Sequence, residues 1–121
     1  VKWLDLSHNV VRDADGNIAR LFVLLEENLE TVYWWEAWVP IVVVMACAEI
    51  VEYDPLASMQ LMMEFGHDTD SYAQVMGAVM GAIHGKDVWP EDIRKTVNDR
   101  MKEQFGQHVE DWMKLIELYK Q

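Results

Sequence analysis

Trp38-Val39-Pro40-Ile41-Val42-Val43-Val44-Met45-Ala46-Cys47-Ala48-Glu49-Ile50-Val51 is the stretch on which the fold class turns. Its valine triplet favours a strand, because β-branched side chains pack well on a pleated surface. The length of the run, its continuation through Ala46 and Ala48, and Pro40 placed to open a first helical turn favour a helix instead. We read a helix from about Pro40 to Val51. The uncharged part, Trp38 to Ala48, falls short of the ~20 residues that a membrane span needs, so this helix is expected to be buried on all sides. A lone Cys47 inside it reads as a small buried hydrophobe.

Helical spacing continues on both sides. Upstream, Ile18, Leu21, Phe22, Leu25, Leu29, Val32 and Tyr33 form one stripe, with Glu26, Glu27 and Glu30 on a solvated face. The preceding Asp13-Ala14-Asp15-Gly16-Asn17 is a turn. A calcium loop would need Gly where Ile18 stands and Glu where Leu24 stands, so calcium is rejected. Downstream, Asp54-Pro55 reads as an N-cap and first turn, Leu56, Met59, Met62 and Met63 as an apolar face, and Gly66 as the terminator. A further helix is expected from near Asp70 to near Gly85. Its Ala73, Gly77 and Gly81 fall at i+4 steps, which implies close approach of another helix. Trp89-Pro90-Glu91-Asp92 opens the next helix, running to Asn98-Asp99 or slightly beyond. Val109 to Lys120 forms the last, with Val109, Trp112, Met113, Ile116 and Tyr119 on one side. The expected fold is all-α, a compact orthogonal bundle of about five to six helices in a single domain over residues 1–121.

Composition bounds the function. Ten Lys and Arg against 21 Asp and Glu leave a formal net charge of −11. Such a surface repels phosphate backbones and anionic bilayers, so neither nucleic acid nor membrane is an expected partner. With 51% apolar residues and six Trp, the chain is no disordered acidic tail. No targeting segment is visible, and one cysteine weakly suggests a reducing compartment; a cytoplasmic location is expected.

One segment carries possible chemistry: Phe65-Gly66-His67-Asp68-Thr69-Asp70-Ser71. On spacing alone, capping of the following helix by Asp or Ser is the simpler reading. The alternative is a hard-cation site, since every donor is oxygen, which suits Mg²⁺ or Mn²⁺. The positive end of the helix opposes a cation there, so further acids would be needed. His67 reads as a loop histidine, and His84 and His108 have no evident partner.

Gly66-His67-Asp68-Thr69-Asp70-Ser71, followed by Gly77, Gly81 and Gly85, resembles the C-terminal signature of the ADP-ribosylglycohydrolase family. Trp89-Pro90-Glu91-Asp92-Ile93-Arg94 resembles the element that follows it there, and Trp38-Val39-Pro40 the segment before it. The likeness spans roughly Trp38 to Arg100. It implies an all-helical hydrolase that holds two Mg²⁺ ions, sometimes Mn²⁺, and cleaves the bond between ADP-ribose and a modified side chain. By that resemblance Asp68, Asp70 and Ser71 take the places of metal ligands, with Asp70 between the two ions.

The departures matter equally. Family enzymes are more than twice as long and draw further ligands from an N-terminal Glu and a Thr/Ser-Asp-Asp cluster. This sequence has no Thr-Asp-Asp or Ser-Asp-Asp, and no Gly-Asp-x-x-Gly opening. Three oxygen ligands cannot complete the shells of two six-coordinate ions. The resemblance therefore implies a truncated relative, the C-terminal portion of the fold, with a partial metal site and no catalysis alone. Its apolar surface would be covered by self-association as a homo-oligomer (a dimer), or by a partner protein. The alternatives are an enzyme completed by a second chain, and a non-catalytic ADP-ribose-binding or regulatory module.

Overall fold

The computed structural model describes residues 2–32, 36–85 and 87–119. Among them are seven helices and no strand: α1 (Lys2–Ala14), α2 (Ile18–Leu29), α3 (Val39–Ile50), α4 (Pro55–Phe65), α5 (Thr69–His84), α6 (Glu91–Phe105) and α7 (Val109–Leu118). The chain divides into two units, Val1–Val88 and Trp89–Gln121. No helix is long and apolar enough to cross a membrane.

α3 is the centre of the first unit, with α1, α4 and α5 packed on it and α2 touching it more lightly. It buries Val39, Pro40, Val42, Val43, Val44, Ala46, Cys47 and Ala48, which cover most of its circumference. Burial on nearly every side outweighs the strand preference of the valines, and each buried valine contributes about 1.5 kcal/mol or more. Cys47 is buried as the sequence implies, and burial pushes its thiol up to about 12.

The helix α1 has no counterpart in the sequence reading. Ser7, Val10 and Ala14 form its buried face at helical spacing. Trp3 stacks on Trp38 with ring centroids 3.9 Å apart and planes at 8°, and His8 Nδ1 meets Glu49 Oε1 at 2.6 Å. These contacts pin α1 along α3. The turn read at 13–17 is present: Asp15 and Gly16 take positive φ, and the Asn17 side chain caps α2 by accepting from the Arg20 N–H. α2 buries Leu21, Leu25 and Leu29 and ends there, while Ile18 is exposed. Tyr33, Trp34, Trp35 and Lys120 lie outside the described residues.

Four expectations change. α4 is capped by Asp54 as read, its side chain accepting from the Ala57 N–H at 2.8 Å, but its buried face is Ser58, Leu61, Met62 and Phe65. Leu56 and Met63 are exposed. Apolar residues surround this helix, so periodicity offers overlapping stripes and only packing against α3 and α5 selects one. On α5 the buried face is Tyr72, Met76 and Met80. Ala73, Gly77 and Gly81 lie one residue, about 100°, away from it. A Cβ added at Gly77 or Gly81 meets nothing within 4 Å, so no described helix makes the close approach that the small residues imply. α6 runs six residues past Asp99 to Phe105, where Gly106 stops it in the left-handed conformation. Finally, α6 and α7 bury no residue, and Val109, Trp112, Met113, Ile116 and Tyr119 are all exposed instead of forming core.

Candidate metal site at the turn between α4 and α5

Gly66 ends α4 at φ +87°, a conformation that side chains rarely adopt, and its N–H reaches Met62 O at 3.4 Å. His67 follows in the left-handed region at φ +60°. Asp68 then leads directly into α5, whose first turn closes through Tyr72 N–H to Asp68 O at 3.0 Å. Three residues thus reverse the chain and set Asp68, Asp70 and Ser71 together at the start of a helix.

Two contacts fasten this turn to α2. His67 Nε2 lies 2.7 Å from Glu26 Oε1. Phe65 packs against Phe22 with centroids 5.3 Å apart and against the His67 ring at 5.2 Å. Phe22 and Glu26 are one turn apart on α2, so a single helical face holds both ends of the turn. Glu26 is therefore not merely solvated and His67 not a free loop histidine. No local sequence signal could pair them, because the partners are separated by 41 residues. His84 and His108 also have partners: Tyr53 O at 2.9 Å from His84 Nε2, and, for His108, a reciprocal capping box with Asp111.

Asp68 occupies the N-cap position of α5, yet its side chain makes no capping hydrogen bond. Its carboxyl lies beside that of Asp70 instead. That contact is the main reason the exposed Asp70 carboxyl lies below the ordinary carboxylate range, with the N–H groups of Ser71 and Asp70 adding to the effect. Helix capping therefore leaves Asp68 unexplained.

Below the acids, Tyr72 is wholly buried. Its Oη makes no hydrogen bond among the described residues, a condition that costs about 1–3 kcal/mol. Burial is the first cause of its phenol being pushed up to about 12; the Asp68 carboxylate adds to this, the Asp68 N–H, near the oxygen but outside hydrogen-bond geometry, opposes it, and Glu26 and Cys47 contribute further.

Two carboxylates and a hydroxyl suit a hard divalent cation, and the orphaned hydroxyl beneath them is a donor still available to a ligating carboxylate. The set fits Mg²⁺ or Mn²⁺ only in part, since among the described residues no three His, Cys, Asp or Glu side chains are grouped to hold a metal.

Compared with known families, the chain matches the ADP-ribosylglycohydrolase model over residues 3–121. It belongs to the ADP-ribosylglycohydrolase family. The match takes in α1 and α7, and so reaches beyond the Trp38 to Arg100 segment on which the sequence resemblance rests. No curated protein and no solved structure matches this family member.

Proposed function

We propose that this chain supplies Asp68, Asp70 and Ser71 to a divalent-metal site for hydrolysis of ADP-ribosyl linkages, and that residues 1–121 leave that site incomplete. Asp68 carries the reading, because it stands at the N-cap position without capping and lies against Asp70 instead. Membership of the ADP-ribosylglycohydrolase family supports the reaction class. A bound divalent ion would orient ribose hydroxyls and activate a water for attack on the anomeric carbon. The chain's own residues do the holding: Gly66 and His67 turn the backbone, Glu26 anchors His67, and Asp68 and Asp70 present oxygens at one helix end.

Three oxygens fall well short of two six-coordinate shells, which supports the absence of turnover by these residues alone. Further ligands come from outside residues 1–121. The exposed apolar face of α7 supports self-association of the chain. The test incubates the purified chain with Mg²⁺ and ADP-ribosylated protein and measures released ADP-ribose. Release at the background rate, together with weak Mn²⁺ binding that Asp70→Asn abolishes, is expected; efficient release by the chain alone overturns the incomplete site.

A second reading, completion by a second polypeptide, is favoured by the open face of Gly77 and Gly81. It expects release to appear when a candidate partner is added and to vanish again with Asp70→Asn.

A further inference from the structure

Two unmet requirements stand one helical turn apart on α5. Asp68 is an acceptor side chain at a capping position that makes no capping bond. Tyr72 is a donor side chain, 0% exposed, whose hydroxyl has no partner among the described residues. Residues at i and i+4 share a helix face, and side chains lean towards the helix N-terminus. The phenol of Tyr72 is therefore carried back under the turn that bears Asp68. Glu26, the other carboxylate near the phenol, is already paired with His67. Among the described residues the Asp68 carboxyl lies beside that of Asp70, and two ionised carboxylates side by side repel, which favours rotation of Asp68 towards a donor.

We propose that Tyr72 is a positioning residue whose phenol O–H donates to the Asp68 carboxylate and fixes it for a divalent cation. This rests on the metal reading of Asp68 and Asp70 given above. Ligating carboxylates are commonly oriented by such a hydrogen bond, and its loss weakens metal binding by about tenfold or more. The burial of the hydroxyl then has a purpose: no solvent molecule competes for its proton, so the carboxylate that receives it is held in one orientation.

The experiment compares the wild-type chain with Tyr72→Phe, Asp68→Ala and the double variant. Two readouts are used: the thermal midpoint without metal, and Mn²⁺ binding by loss of the free-ion electron paramagnetic resonance signal. Tyr72→Phe is expected to lower the midpoint by about 5 °C in the wild-type background and to leave the Asp68→Ala background unchanged. It is also expected to weaken Mn²⁺ binding about tenfold. Equal midpoint shifts in both backgrounds would show that the phenol acts independently of Asp68 and would overturn the proposal. Unchanged Mn²⁺ affinity in Tyr72→Phe overturns it as well. Coupling of the midpoints in a wild-type chain that binds no Mn²⁺ supports the pairing of Tyr72 with Asp68 and overturns the metal reading instead.

Discussion

At Gly66 and His67 the backbone takes two consecutive positive φ values, +87° and +60°. Gly66 pairs its value with ψ −142°, a region that essentially only glycine enters. Gly66→Ala is therefore expected to destabilise the first unit by about 1–3 kcal/mol, although a methyl there meets nothing within 4 Å. Chemical denaturation measures it, and an unchanged midpoint would mean that the turn does not need this conformation. His67 tolerates its own left-handed backbone while Glu26 holds the ring at 2.7 Å. The strain at this turn and the placement of Asp68 thus share a cause, a chain reversal compressed into three residues.

At the scale of the helix, α5 separates its buried residues from its small ones. Tyr72, Met76 and Met80 pack inward, whereas Gly77 and Gly81 face open space. Glycine inside a helix costs about 1 kcal/mol relative to alanine, and no described neighbour forbids a methyl here. Gly77→Ala and Gly81→Ala are each expected to raise stability by about 0.5–1 kcal/mol, read from denaturant midpoints. If a partner closes on this face, the same substitutions weaken that association. On α7 the Asp111 carboxyl accepts from the His108 N–H at 3.1 Å, the first cause of its lowered pKa, with Lys114 assisting. A carboxylate depressed in the folded state stabilises above its unfolded value, near pH 4, and that contribution disappears as pH falls through the lower folded value. The amide shifts of residues 109–112 should show the first turn of α7 loosening over that acidic window, and Asp111→Asn should remove the transition.

For the molecule as a whole, the two units differ in kind. Residues 1–88 wrap four helices around α3, with Leu21, Leu25, Leu29, Met62 and Met76 fully enclosed. In α6 and α7 nothing is buried, and Trp112, Leu115, Ile116 and Leu118 each remain more than half exposed. Apolar exposure of this kind is the surface that the proposed self-association would cover. On that proposal, Ile116→Glu is expected to abolish concentration-dependent association in sedimentation velocity while leaving the thermal midpoint of the monomer unchanged. A fall in that midpoint would show that Ile116 is needed within the fold itself. The formal charge of −11 places this apolar face on an acidic protein, so raised salt should strengthen the proposed self-association by screening like charges.

The helices of this ADP-ribosylglycohydrolase family member were largely legible from local chemistry. Asp54 caps a helix start, Pro40 and Pro55 occupy first turns, and Gly66 and Gly85 stop helices, each through interactions within a few residues. The Asp68-Asp70-Ser71 cluster was equally visible, because its members are neighbours in the chain. Contacts between distant residues were not. The pairing of His67 with Glu26, the face that α4 turns inward and the open side of α5 depend on which helix lies alongside, and periodicity is silent about that. Tyr72 shows the difference most clearly: the sequence reading did not single it out, and its hydroxyl, without a partner among the described residues, is buried only once α5 is packed.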